Sequence, residues 1–280
     1  CTDGGALTLL VTEHHFYDTL DWASAACIQA GISQFLDDHI AAVHSALAQG
    51  LLTEEEIDVV LKCVFLVMMR LGLFDPPEMV PYSSIKDGEE PWKHPEHIDV
   101  ARLITQKSRG VRKNSKKLLP LDKDTLKSIA VIGPRANEVL LDWYSGSPPY
   151  AVTPLEGIKA QVGSDVSVWH APDNSRDHAV NLARAADVAV VCVGNHPTGK
   201  AGWAECPTPS DGKEAVDRRA IVLEQEELIK QIYRVNPNTV VVLISSFPFA
   251  ITWTQRHVPA IVHLTHNSQE LGNALADVLF

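Results

Sequence analysis

Short apolar runs alternate with amphipathic segments through the second half of the chain. Four runs are almost wholly apolar: residues 128–133, Val188–Gly194, Thr239–Ile244 and Ala260–Leu264. Such continuous hydrophobicity is typical of parallel strands that are covered on both faces. A fifth strand is predicted at 166–170, and helical periodicity predicts helices at 176–186 and 223–233. The pattern predicts a doubly wound α/β sandwich, with ligand-binding groups at the carboxyl ends of its strands.

The first part of the chain shows the strand–helix rhythm of a parallel α/β unit. Its periodicity predicts helices at 21–30 and 39–49, with a short strand at 31–36 between them. Thr53 precedes three glutamates and is a strong N-cap for a long helix that ends at Arg70. Residues 1–4 are interpreted as the end of another strand.

A proline-rich stretch separates these two parts. Residues 75–95 contain Pro76, Pro77, Pro81, Pro91 and Pro95 together with several charges, a composition that predicts a surface linker. Helical periodicity resumes from His97. The sequence therefore predicts three regions, namely 1–75, a linker with a connecting helix at 76–118, and an α/β domain at 119–280. Because Phe280 falls within an amphipathic helix that has no cap, we expect this domain to be incomplete at its C-terminus.

Composition narrows the classes of partner. The chain has 280 residues, of which 45% are hydrophobic, and a formal net charge of −11. This charge argues against binding to nucleic acids or anionic membranes, both of which select basic surfaces. No apolar run approaches the roughly 20 residues of a membrane-spanning helix. Neutral ligands such as sugars are compatible with this composition.

No cofactor or metal site is predicted. The glycine turns after residues 132 and 193 fit neither a dinucleotide nor a phosphate-binding pattern. His14 and His15 are adjacent, so their side chains point to different sides of the chain, and no third ligand follows at a useful spacing. The five cysteines are scattered, without a CxxC pair. Apart from Cys206, which lies in a polar segment, they are interpreted as small buried packing groups.

Several sequence blocks, in order, resemble family 3 of the glycoside hydrolases. They are residues 2–6 (TDGGA), 13–17 (EHHFY), 25–31 (AACIQAG), 70–75 (RLGLFD), 113–114 with 118–121, 129–134, 144–146, 153–157, 214–218 (EAVDR) and 273–279. The resemblance implies that residues 1–75 are the C-terminal part of a (β/α)8 barrel, followed by the family's α/β sandwich domain. Residues 108–112 (SRGVR) depart from the apolar segment that the family has there, which places Arg109 and Arg112 where hydrophobic packing is expected.

The resemblance also implies two catalytic carboxylates. Asp3 matches the nucleophile that forms a covalent glycosyl intermediate, and Glu214 matches the general acid/base. Retention of configuration requires their carboxyl groups to lie roughly 5–5.5 Å apart. Glu205 is a competing acid, because its neighbour Trp203 could stack on a sugar or raise the pKa of a carboxyl group.

Two functions remain open from the sequence. One is a retaining exo-β-glycosidase that acts on terminal β-linked xylose or glucose, in which His14 and His15 lie at the substrate rim. The other is a non-catalytic fragment or a carbohydrate-binding or assembly module that lacks most of the barrel. Homodimer formation and the compartment are also open, although a secreted or periplasmic location would fit the resemblance.

Overall fold

The computed structural model describes residues 1–86, 88, 90–108, 110–142, 144–197, 219–266 and 268–280. The chain divides into two compact units, Cys1–Glu89 and Glu90–Phe280. The finer boundaries expected from the sequence, at residues 75 and 118, stay predictions. In the part of the chain that the structure describes, no helix has both the length and the apolar character needed to cross a membrane.

The first unit is built from helices. They are α1 (Ala6–Thr12), α2 (Leu20–Gln29), α3 (Ile40–Ala48) and α4 (Glu54–Arg70), and 3-10 turns follow at Pro77–Met79 and Pro81–Ser84. The predicted N-cap of α4 is confirmed, since the Thr53 hydroxyl accepts the Glu56 amide while the Thr53 amide donates to the Glu56 carboxylate. A small core, which includes Ile28, Ala46 and Val60, holds α2, α3 and α4 together.

The strand predicted at 31–36 is wrong, and so is the strand end predicted at 1–4. Both segments are irregular in the structure. They lie side by side, because the Thr2 amide donates to the Gln34 carbonyl at 3.0 Å and the Leu36 amide donates to Oγ1 of Thr2 at 3.0 Å. The second contact uses a side chain where a parallel ladder would use a backbone carbonyl, so the pairing does not continue as a strand.

The second unit is a three-layer α/β sandwich. Its helices are α5 (Pro95–Lys107), α6 (Pro154–Val162), α7 (His178–Ala185), α8 (Glu226–Val235), α9 (Thr252–His257) and α10 (Leu271–Leu279). Its strands are β1 (Gly110–Asn114), β2 (Ser128–Ile132), β3 (Ser167–Ala171), β4 (Val188–Gly194), β5 (Thr239–Ile244) and β6 (Ala260–Leu264). The sheet has the order β1-β6-β5-β4-β2-β3, with β1 antiparallel and the other pairs parallel. This is the predicted doubly wound fold.

Alternate residues of each central strand enter two different cores, which explains their continuous hydrophobicity. In β4, Val188, Val190 and Cys192 pack on the side of α6 and α10. Ala189, Val191 and Val193 pack on the side of α7 and α8. All seven residues of β4 are buried. A polar side chain at any position of such a strand would be buried away from water, whichever face of the sheet it pointed to.

The edge strand β1 was not predicted. It pairs with β6, and an irregularity between Val111 and Lys113 leaves Arg112 without a partner in the register. Extra residues of this kind re-aim side chains at the edge of a sheet. Arg112 is exposed. Arg109 lies outside the described residues.

The cysteine prediction is only partly correct. Cys192 is fully buried, and burial raises the pKa of its thiol to about 12. Cys27 is half-buried, but Cys1 and Cys63 are exposed. The prediction is wrong for these two, and Cys63 lies on an outward-facing position of α4. Cys206 lies outside the described residues.

Candidate active site

Asp3 lies in the turn that leads into α1, with an exposed side chain. Its Oδ1 accepts the amide of Gly4 at 2.8 Å, and its backbone carbonyl accepts the amide of Ala6 at 3.2 Å. Gly5 follows with a φ of 73°, a left-handed conformation that glycine adopts without strain. The carboxylate is therefore oriented by its own turn and remains open to solvent.

A second carboxylate, which the sequence analysis missed, lies against the same turn. Asp37 Oδ2 accepts the amide of Gly5 at 2.6 Å. The Nε2 atom of His39 is 3.9 Å from the same carboxylate oxygen. Asp37 follows the segment that lies beside Thr2, just as Asp3 follows Thr2 itself. No local sequence signal singled out Asp37, because the contact joins positions 32 residues apart.

The two histidines assigned to the substrate rim lie just beyond α1. His14 and His15 are both exposed. His15 has a φ of 47°, and its Nδ1 is 3.0 Å from the carbonyl of Val11. With Nδ1 protonated, this contact satisfies one of the free carbonyls at the end of α1. A contact with substrate stays a prediction for both histidines. Among the described residues, no group of three His, Cys, Asp or Glu could hold a metal ion.

In the second unit, the carboxyl ends of β2 and β4 form the topological switch point of the sheet. The chain leaves β2 towards α6 on one face, whereas it leaves β4 towards α8 on the other. Ligands of open α/β sheets bind in the crevice that such a reversal creates. Glu214, Glu205 and Trp203 all fall in the segment that follows β4, but they lie outside the described residues.

Close backbone packing joins the end of β4 to β5 on one side and to the end of β2 on the other. Gly194 has a φ of 140°, and a Cβ there would meet the Ile244 carbonyl oxygen of β5. A Cβ at Gly133 would likewise meet the carbonyl oxygen of Cys192, at 2.3 Å. Arg135 spans the crevice: its Nε donates to the Gly194 carbonyl at 3.4 Å, and its Nη1 pairs with Glu138. These contacts hold the backbone at the end of β4 in place.

Three loops at the same edge are joined by a buried histidine. His266, after β6, contacts the Ser246 hydroxyl through Nδ1, while its Nε2 is 3.5 Å from Oδ2 of Asp142 in the loop after β2. Burial lowers the pKa of His266, and Asp142 partly opposes that shift. The pKa of Asp142 is itself lowered, mainly by a hydrogen bond from the Ser145 hydroxyl. At neutral pH the imidazole is therefore neutral and acts as a structural link.

Comparison with known proteins decides the family. The sequence model described as "Glycosyl hydrolase family 3 C-terminal domain" matches residues 113–280. The chain belongs to glycosyl hydrolase family 3. The match covers all strands from β2 to β6 and begins within β1.

Relatives extend the similarity to the whole chain. A β-xylosidase of Formosa agariphila is 28% identical over 305 aligned positions, which cover 100% of this chain and 40% of the relative. A solved exo-β-xylosidase of the same family, in complex with a xylobiose aziridine activity-based probe, matches with a TM-score of 0.76 at 25% identity. That match covers 99% of this chain and 35% of the other.

A β-glucosidase structure from Erythrobacter marinus has the same fold, with a TM-score of 0.75 at 24% identity over 98% of this chain and 40% of that one. The chain thus spans about two fifths of the length of the curated β-xylosidase that it matches.

Proposed function

We propose that this chain is the carboxyl-proximal portion of a retaining exo-β-glycosidase that removes terminal β-linked xylose or glucose. The observation that carries the proposal is membership of glycosyl hydrolase family 3, together with a curated β-xylosidase whose alignment covers the entire chain. The exo-β-xylosidase structure, which also aligns from end to end, favours xylose as the first sugar to test.

In this mechanism Asp3 is the nucleophile. Its carboxylate attacks the anomeric carbon while Glu214 protonates the departing glycosidic oxygen, which gives a glycosyl ester and a free alcohol. Glu214 then removes a proton from water, and the water oxygen displaces Asp3 with net retention. An exposed carboxylate whose orientation is held by the Gly4 amide supports the assignment of Asp3. The neighbouring Asp37 holds the Gly5 amide and so positions the turn.

The full-length protein that contains this chain tests the proposal. Wild type is expected to release p-nitrophenol from p-nitrophenyl β-xyloside or β-glucoside. Asp3→Asn should lower kcat by at least about a thousandfold, because a covalent step cannot proceed without its nucleophile. Asp18→Asn is the matched control, since Asp18 is exposed on the same unit and its substitution changes the charge equally.

Two results would overturn the assignment. Undiminished turnover in Asp3→Asn would remove Asp3 from the mechanism. NMR in the first minutes of the reaction identifies the anomer that is released first. A product of inverted configuration would exclude a glycosyl–Asp intermediate. Absence of hydrolysis in the wild-type protein on both substrates would favour the non-catalytic module instead.

A further inference from the structure

A cavity of about 550 Å³ opens at the carboxyl ends of β5 and β6, on the face of the sheet that carries α8 and α9. Leu243 and Ser245 of the β5 side and Ile261 and His263 of β6 form its floor. Residues 247–249 (Phe-Pro-Phe) form one wall. The volume lies in the range of small-molecule sites, which runs from about 300 to 1,000 Å³.

Charge sets this cavity apart from the rest of the molecule. The chain has 35 acidic and 24 basic residues, yet no Asp or Glu is among the described residues that line the cavity. The one charged side chain among them is Arg112. It comes from the irregularity in β1 and reaches over Gly110, where a Cβ would be 2.9 Å from the Arg112 Nε. Burial and the positive charge of Arg112 both lower the pKa of His263, the residue of β6 that lies opposite Gly110.

The two serine hydroxyls at the cavity already have partners. The Ser245 hydroxyl is 3.2 Å from Nε2 of His263, and the Ser246 hydroxyl contacts Nδ1 of His266. Lys113, the next cation along β1, donates to the carbonyl of Gln255 at 2.6 Å. Arg112, by contrast, has no carboxylate partner in the part of the chain that the structure describes. A guanidinium carries five N–H donors in a planar fork that matches a carboxylate.

We propose that this cavity binds a small carboxylate carried on a ring with an apolar face, with Arg112 holding the carboxylate and residues 247–249 packing on the ring. Two kinds of ligand share this chemistry, an aromatic acid and a uronic acid sugar. The proposal is independent of the hydrolysis proposed above, because it concerns equilibrium binding within the second unit.

Isothermal titration calorimetry on the 280-residue chain tests the site. Benzoate and D-glucuronate are the carboxylate probes, with benzyl alcohol and D-glucose as their neutral counterparts. At least one carboxylate is expected to bind and its neutral counterpart to bind at least tenfold more weakly. Arg112→Gln should weaken carboxylate binding by roughly tenfold or more, the loss that follows when a charge-assisted hydrogen bond worth about 1.5–3 kcal/mol is removed.

Arg256→Gln is the matched control. Arg256 is exposed on α9 but does not line the cavity, so this variant removes the same charge and should change affinity less than twofold. A carboxylate in the cavity should also shift the imidazole NMR signals of His263, assigned with His263→Gln. Binding of benzoate alone identifies an aromatic acid site, and binding of glucuronate alone identifies a uronic acid site.

Three outcomes would overturn the proposal. They are no detectable binding of either carboxylate, equal binding of a carboxylate and its neutral counterpart, and unchanged carboxylate affinity in an Arg112→Gln variant that unfolds at the wild-type temperature.

Discussion

Gly194 lies directly against the backbone of Ile244, where a Cβ atom would come within 1.7 Å of the carbonyl oxygen. Gly194 is the last residue of β4, and Ile244 is its partner in the register of β5. The segment that contains Glu214 begins just after this contact. The close approach of β4 and β5 at this point therefore depends on a residue that has no side chain.

Gly194→Ala is expected to lower the free energy of unfolding by at least about 2 kcal/mol. The new methyl group would have to displace backbone rather than a flexible side chain, and alanine is strained at a φ of 140°. Urea denaturation followed by circular dichroism measures the loss. Gly146→Ala is the control, because a Cβ at Gly146 meets open space. Equal stability of the two variants would contradict the predicted clash.

Asp187 ties the beginnings of β2 and β4 together. Its Oδ2 accepts the amides of Lys127 and Ser128 at 2.8 and 2.9 Å, and the Ser128 hydroxyl at 3.1 Å. Asp187→Ala should cost about 1–2 kcal/mol, because the exposed site lets water replace part of what is lost. The control is Asp124→Ala, which removes the same charge from an exposed position of the same unit. An identical loss in both variants would show that charge, not these hydrogen bonds, is responsible.

The hydrogen bonds to Asp187 also give this contribution a pH dependence. The Lys127 amide is the main reason that the pKa of Asp187 lies below its ordinary value of 3.8. A carboxyl group whose pKa is lower in the folded state contributes stability above its unfolded pKa and loses it as the pH falls. The difference between wild type and Asp187→Ala should therefore shrink as the pH is lowered below about 4. A difference that stays constant down to pH 2.5 would contradict this mechanism.

Two histidines should make the second unit less stable in mild acid. Burial lowers the pKa of His266 below its ordinary value of 6.5, and burial together with the Arg112 charge does the same for His263. The unfolded chain therefore binds these protons first, and the free energy of unfolding should fall as the pH drops below about 6.5. Urea denaturation at pH 7.5, 6.5 and 5.5 measures the slope. Substitution by glutamine at both positions should flatten it, and a double variant with the wild-type slope would exclude these groups.

The central strands could be predicted from the sequence because their environment leaves little freedom. The bounds predicted for β4, β5 and β6 agree with the structure. Strands β4 and β5 are covered by a hydrophobic core on both faces, and β6 carries one polar residue, His263, near its end. The run of mostly apolar residues therefore begins and ends where each strand does.

The edge strand β1 was not predicted, because solvent on its open side leaves its side chains free to vary. Strand β1 is at the edge of the sheet and includes Arg112 and Lys113, side chains that solvent tolerates there. Its strand character comes from pairing with β6, which local sequence does not encode. The segment 31–36 shows the reverse error. It lies beside Thr2, but it does not form the ladder that defines a strand.

The candidate site divides in the same way. Asp3 was predicted from its resemblance to a family motif and stays a prediction, whereas Asp37, which lies against the same turn, was not singled out. The hydrogen bond from the Gly5 amide to Asp37 joins positions 32 residues apart. Nothing in the amino-acid sequence around Asp37 distinguishes it from Asp38. Such a contact depends on how two segments are brought together, and this placement is a property of the tertiary structure.

The acid/base assignment leads to a prediction that separates Glu214 from Glu205. In the full-length protein, Glu214→Ala should still form the glycosyl intermediate from an activated aryl β-glycoside, because p-nitrophenolate leaves without a proton. Breakdown of this intermediate should be slow, since no base activates water.

Azide is already an anion and needs no base to attack the intermediate. In Glu214→Ala the carboxylate that would repel azide has been removed. Added sodium azide should therefore raise the turnover of Glu214→Ala and yield a β-glycosyl azide, detected by NMR. Glu205→Ala is the matched control and should show neither rescue nor azide product. Rescue in Glu205→Ala alone would reverse the two assignments.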